Sequence, residues 1–104
     1  MATVSITTTA LGAAHPIATS ELAHACGAEV EWVVRLVEVG IIESREPAER
    51  PEQWRFQSSD LQCALDARRL ERDFGVNLDA AALILDLQQE LRRLHALLAA
   101  HGLA

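Results

Sequence analysis

From Thr19 onward the apolar residues recur at helical spacing, and three of the first runs close at a glycine. In TSELAHACG, Thr19 stands where an N-cap is wanted, Ser20 and Glu21 fill the first turn, and Leu22, Ala25 and Cys26 repeat on one face; Gly27 takes the position where a left-handed residue ends a helix. A second helix is expected at once, from about Glu29 to Val39, with Val30, Val33, Val34 and Val37 at i, i+3, i+4 and i+7 as its core stripe and Gly40 as its stop. Two short helices across a tight glycine turn are the sequence form of a helix-turn-helix. Beyond them, Ile41-Ile42 and Trp54-Arg55-Phe56 read as two short strands around a polar loop that carries Pro47 and Pro51, a small wing with Trp54 and Phe56 on one face. Ser59 is the expected cap of a third helix, with Gln62 completing a capping box, and this helix runs to Phe74 before Gly75. Cys63, Ala67, Leu70 and Phe74 form its apolar seam.

The last helix starts near Leu78 or Asp79. Ile84, Leu87, Leu91, Leu94 and Leu98 step by three and four in alternation, a coiled-coil seam of about two heptads with no polar interruption. Such a seam packs either on the protein's own helices or on a second copy. Leu83, Leu85 and Leu97 lie off it and give the helix more apolar surface than one internal contact needs, so a homodimer is expected. The chain thus divides into a leader over 1–18, a winged helix-turn-helix domain over 19–77 and a dimerisation helix over 78–104. In the leader, Val4-Ser5-Ile6-Thr7 suits a short edge strand, and an unstructured tail fits the Thr- and Ala-rich composition equally well.

Charge changes the list of partners. The chain has 104 residues, nine basic and fifteen acidic, and all nine bases are Arg, for a net charge of −6. Seven Glu against three Arg between Glu29 and Trp54 hold most of the deficit. A small domain that binds DNA through phosphate contacts shows a basic face, whereas this stretch suits a basic protein surface. Arg68, Arg69 and Arg72 are interleaved with Asp66, Glu71 and Asp73, which reads as a solvated ion-pair face.

Candidate chemistry is sparse. Cys26 and Cys63 have no CxxC spacing and read as packed small residues, and His15, His24, His95 and His101 are scattered without metal-ligand spacing. No nucleophile elbow or phosphate loop is present, so no catalytic residue, metal or cofactor is assigned and no small-molecule substrate is expected. The apolar runs are far shorter than the ~20 residues of a membrane span, and the opening residues lack the pattern of a secretory signal. A cytoplasmic protein is the expectation.

The layout resembles the MerR-like winged-helix group. Within it, PEQWRFQSSDLQCALDARRLERDFGVNLDAAALILDLQQELRRL and TSELAHACGAEVEWVVRLVEVGIIE are similar to the chaperone modulator CbpM family, in the W-x-F wing strand, the arginine-rich third helix and the GVNL before an aliphatic last helix. The leader and the proline-bearing loop depart from that pattern. The resemblance implies a mainly α fold, a MerR-like winged helix-turn-helix with a small β-wing and a long C-terminal helix forming a dimer coiled coil. It also implies a partner, the J-domain of a CbpA/DnaJ-type co-chaperone, whose stimulation of Hsp70 such proteins restrain. The J-domain's basic helix makes an acidic binder physically sensible.

The candidate partner-binding residues are Glu29, Glu31, Trp32, Arg35 and Glu38, with Trp32 either an exposed aromatic anchor or a flank of the core. The rival is a MerR- or HspR-type DNA-binding regulator. Its second helix would enter the major groove, where three carboxylates to one guanidinium are repelled by phosphate.

Overall fold

The computed structural model describes residues 15–45 and 48–102. The elements are β1 (Ile17–Ala18), α1 (Thr19–Ala25), α2 (Val30–Glu38), a 3-10 turn (Pro51–Gln53), β2 (Arg55–Phe56), α3 (Ser58–Phe74) and α4 (Leu78–Ala100). The strands pair antiparallel, Ile17 opposite Phe56 and Ala18 opposite Arg55. The architecture is the expected one, mainly helical with a two-stranded sheet beside a helix-turn-helix and a long last helix.

The strand partner is not the expected one. Ile41-Ile42 form a bend, and the place beside β2 is taken by Ile17-Ala18, two residues assigned from sequence to the leader. Ile17 is buried against Phe56 and the rest of the core, so Ile17 and Ala18 are part of the folded domain. The chain after α2 still reaches the wing, because the Arg45 N–H donates to the Arg55 carbonyl at 2.8 Å and Ser44 Oγ accepts the Arg55 N–H at 3.2 Å. The proposed strand at Val4–Thr7 lies outside the described residues.

Each strand feeds a helix, and both helices are capped alike. Ala18 and Gln57, not Thr19 and Ser59, have the extended N-cap conformation. Neither uses its side chain as the cap. Instead the carboxylate three residues on accepts the N-cap N–H, Glu21 from Ala18 at 2.8 Å and Asp60 from Gln57 at 2.9 Å, which also sets a negative charge at the helix N-terminus. Thr19 is drawn inward, and its Oγ1 donates to the Pro51 carbonyl at 2.6 Å, tying α1 to the 3-10 turn.

Leu22, Leu36, Val33 and Phe56 are fully buried and centre the core, each large side chain contributing roughly 1.5–3 kcal/mol. In α2 the inward residues are Trp32, Val33 and Leu36, so the helix is rotated from the expected valine stripe and leaves Val30 38% exposed. The bulkier apolar residues of the helix have gone inside, and Val34 and Val37 are left half-buried at the flanks. In α3 the buried residues are Ala64 and Ala67. Phe74 lies on the same face but past the end of the packed layer and is 71% exposed.

Helix α4 starts at an Asn77 cap that accepts the Ala80 N–H at 2.8 Å. Leu78 and Ala81 are buried, with Leu85 packed beside them. At 100° per residue the Leu87/Leu91/Leu94/Leu98 seam lies about 140° around the helix from that contact. It stays open: Leu87 is 60% exposed, and Leu83, Leu91, Leu94, Leu97 and Leu98 are exposed as well. Ile84 alone of the seam is half-buried.

Candidate partner-binding face

The rotation of α2 decides what its outer side presents. With Trp32, Val33 and Leu36 inside, the outward row is Glu31, Val34, Arg35 and Glu38, with Glu29 and Val30 at the helix start. Glu29, Glu31, Arg35 and Glu38 are all exposed, as the sequence reading required; Glu31, Arg35 and Glu38 fall within about 60° of one another on the helix, with the half-buried Val34 at the edge of that face and Glu29 at the N-cap. None of the four engages in a side-chain ion pair shorter than 4 Å among the described residues.

Trp32 does not belong to that face. It is 4% exposed, and the exposed-anchor reading is corrected to a core position. The indole Nε1 donates to Glu71 Oε1 of α3 at 2.7 Å, which satisfies the one polar atom the burial would strand. Over the ring lies Arg68, its guanidinium carbon 5.4 Å from the centroid. Arg68 also donates to the Gly27 carbonyl at 3.2 Å and stands 3.8 Å from Glu71 Oε1. Gly27 has φ +65°, and this turn aims its carbonyl at α3. The turn, α2 and α3 thus meet around one indole. Sequence reasoning missed Arg68 and Glu71 as parts of this arrangement, having placed both on a solvated ion-pair face; their partners lie about 40 residues away and leave no local signal. Val34 is the other omission, hidden by its assignment to the core stripe.

The wing is braced from within. Trp54 Nε1 donates to the Ala48 carbonyl at 2.9 Å, and the Trp54 and Phe56 rings meet edge to face at 6.3 Å. Arg55 NH1 turns back to the Trp54 and Glu52 carbonyls at 2.7 and 3.2 Å. Burial raises the Cys26 thiol pKa, opposed by nearby Arg68, and raises that of Cys63, with Asp60 and Asp66 adding to the effect and Arg92 opposing it. Both thiols are therefore held protonated, the reverse of an activated nucleophile. Among the described residues no group of three His, Cys, Asp or Glu is placed to hold a metal ion, and no helix is long and apolar enough to cross a membrane.

A glycine-turned helix pair, a strand-braced wing and a long last helix define a helix-turn-helix fold of the winged kind. Residues 17–100 match the family model described as MerR HTH family regulatory protein, and the chain belongs to that family. No curated protein and no solved structure matches it.

Proposed function

We propose that this MerR-family chain regulates by binding protein, as a modulator that binds the J-domain of a CbpA/DnaJ-type co-chaperone and lowers its stimulation of Hsp70. The observation that carries the reading is the exposed row of α2. The helix that a DNA-reading relative would lay in the major groove offers Glu31, Arg35 and Glu38 beside Val34, with Glu29 at its start. Phosphate repels that set, and a Lys- or Arg-rich helix attracts it. The CbpM-like stretches noted in the sequence supply the identity of the partner. The proposal includes a homodimer through the α4 seam of half-buried Ile84 and exposed Leu87, Leu91, Leu94 and Leu98, action in the cytoplasm, and no catalysis by the chain itself.

Family membership also favours a second reading, a DNA-binding transcriptional regulator of the MerR or HspR type. One experiment separates them. The purified protein is titrated against an isolated J-domain and, in parallel, against duplex DNA, and J-stimulated Hsp70 ATPase activity is measured at equimolar ratio. Binding to the J-domain with reduced ATPase stimulation supports the modulator. A sequence-dependent gel shift at ~0.1–1 μM protein, tighter than ordinary non-specific affinities, with no J-domain binding establishes the regulator instead.

A further inference from the structure

A groove of about 450 Å³ opens between the α1–α2 turn and α3, with Gly27, Glu29, Glu31, Trp32, Arg35 and Arg68 on its walls. A second groove shares Gly27 and Arg68 with it and extends to Cys26, Glu71 and Arg72. Arg68 therefore stands between two open spaces, and three cation acceptors of different kinds converge on it. The Trp32 ring offers its π-face, Glu71 a carboxylate and Gly27 a backbone carbonyl. Glu71 is an i,i+3 neighbour of Arg68 on α3, but the ring and the carbonyl come from α2 and from the α1–α2 turn, so the guanidinium is held across elements and not by its own helix alone.

The grip on Arg68 is loose. Its distance to Glu71 is 3.8 Å, its bond to Gly27 is 3.2 Å, and its side chain is 38% exposed. The short bond of Glu71 goes to the indole N–H, which stays satisfied whether or not Arg68 is present. Withdrawal of Arg68 into solvent would uncover the ring and leave a flat aromatic face beside a carboxylate, a shape that suits a planar guanidinium. At the mouth of the first groove stand two carboxylates, Glu29 and Glu31, against the single guanidinium of Arg35.

We propose that Trp32, Glu71 and the Gly27 carbonyl form a cation receptacle, filled in the free protein by Arg68 and taken over on binding by an arginine side chain of a basic protein partner. The identity of the occupant rests on the protein-binding function proposed above; the receptacle itself does not. Arg68 is then a gate, and its removal strengthens binding, opposite in sign to the loss of a residue that contacts the partner.

The test uses the full chain carrying Trp54→Phe, so that Trp32 alone reports by fluorescence. N-acetyl-arginine amide is titrated at fixed ionic strength up to roughly 100 mM, a range set by the modest strength of one cation–π contact and one ion pair. With Arg68→Ala the emission should change saturably. With Arg68 present the half-saturation point should lie about threefold to tenfold higher. N-acetyl-citrulline amide, neutral and of the same shape, should give no saturable change, and adding Glu71→Gln, which keeps an acceptor for the indole, should abolish the arginine response. A flat titration of the Arg68→Ala protein, or an equal response to citrulline, overturns the receptacle.

A second arm measures J-domain affinity. Tighter binding by Arg68→Ala and weaker binding by Glu71→Gln support the exchange, and weaker binding or no change with Arg68→Ala overturns it. If the J-domain does not bind at all while the arginine amide saturates the Arg68→Ala protein, the receptacle stands and the J-domain function falls.

Discussion

Trp32 and Glu71 are joined by a 2.7 Å hydrogen bond across 39 residues of chain, and that bond fixes α2 against α3. It also sets the outward row of α2, because a helix that buries Trp32 must present Glu31, Val34, Arg35 and Glu38. Glu71→Ala leaves a buried indole N–H unpaired, which costs about 1–3 kcal/mol. Glu71→Gln supplies a neutral acceptor and should cost less. Urea melts of the two variants check this, and equal stability of Glu71→Ala and the parent would show that the bond does not hold the helices together.

The α4 seam gives a second expectation. Leu91 and Leu94 are exposed in the single chain, so glutamates there should leave the protomer's own melt nearly unchanged. In a dimer built on the seam the same changes bury unpaired charge and cost several kcal/mol of association. Sedimentation at micromolar concentration should show a dimer for the parent and a monomer for the Leu91→Glu/Leu94→Glu double variant. A monomeric parent rejects the dimer.

What the sequence made legible was local. Glycines at 27, 40 and 75 end helices because each holds a positive φ, and the 3-4 spacing of α4 survives as an open seam. What stayed hidden depends on distant residues. In VEWVVRLVE either the valines or the Trp32/Val33/Leu36 set satisfies helical periodicity, and the choice falls to the indole's partner on α3. Likewise nothing in Ile41-Ile42 says that Ile17-Ala18 will claim the edge of β2. The caps were misread for another reason. Ser and Thr are the usual N-cap signal, but here the capping oxygens belong to Glu21 and Asp60, so α1 begins one residue before the start that a Thr19 cap predicts and α3 two residues before the start that a Ser59 cap predicts. Of the candidate binding residues, the charged four were legible because exposed charge on a helix needs no tertiary knowledge; Trp32 was not.

Alkaline pH offers a test with few competing groups. The chain has no Tyr and its nine bases are all Arg, so beyond the α-amino group only the two thiols titrate between about pH 8 and 11. Both thiol pKa values are raised by burial, which means the folded chain holds these protons more tightly than the unfolded one. Their contribution to stability is thus complete below the ordinary thiol value of about 8.5 and is lost as pH rises through the raised folded values. The thermal midpoint should fall across that window, and the Cys26→Ala/Cys63→Ala protein should show a flatter alkaline limb. A limb of the same slope in both proteins would assign the effect elsewhere.

The acidic row of α2 is the part of the proposed function that mutation can isolate. Glu29, Glu31 and Glu38 are exposed and outside the core, so changing all three to Lys should leave the circular-dichroism melt nearly unchanged. Facing a basic J-domain helix, the same change turns attraction into repulsion and should slow association most at low salt, since steering by exposed charges fades as salt rises from about 50 to about 300 mM and the screening length falls below ~10 Å. Val34→Asp supplies the complementary variant: it leaves the three carboxylates in place but sets a charge at the half-buried edge of the row, where a docked partner would be dehydrated. Its effect should therefore appear as faster dissociation with little salt dependence. Stopped-flow and surface-binding kinetics on the isolated J-domain distinguish the two signatures. If the J-domain binds and neither variant alters its rates, the partner docks on another face of the molecule, and the row of α2 is not the site.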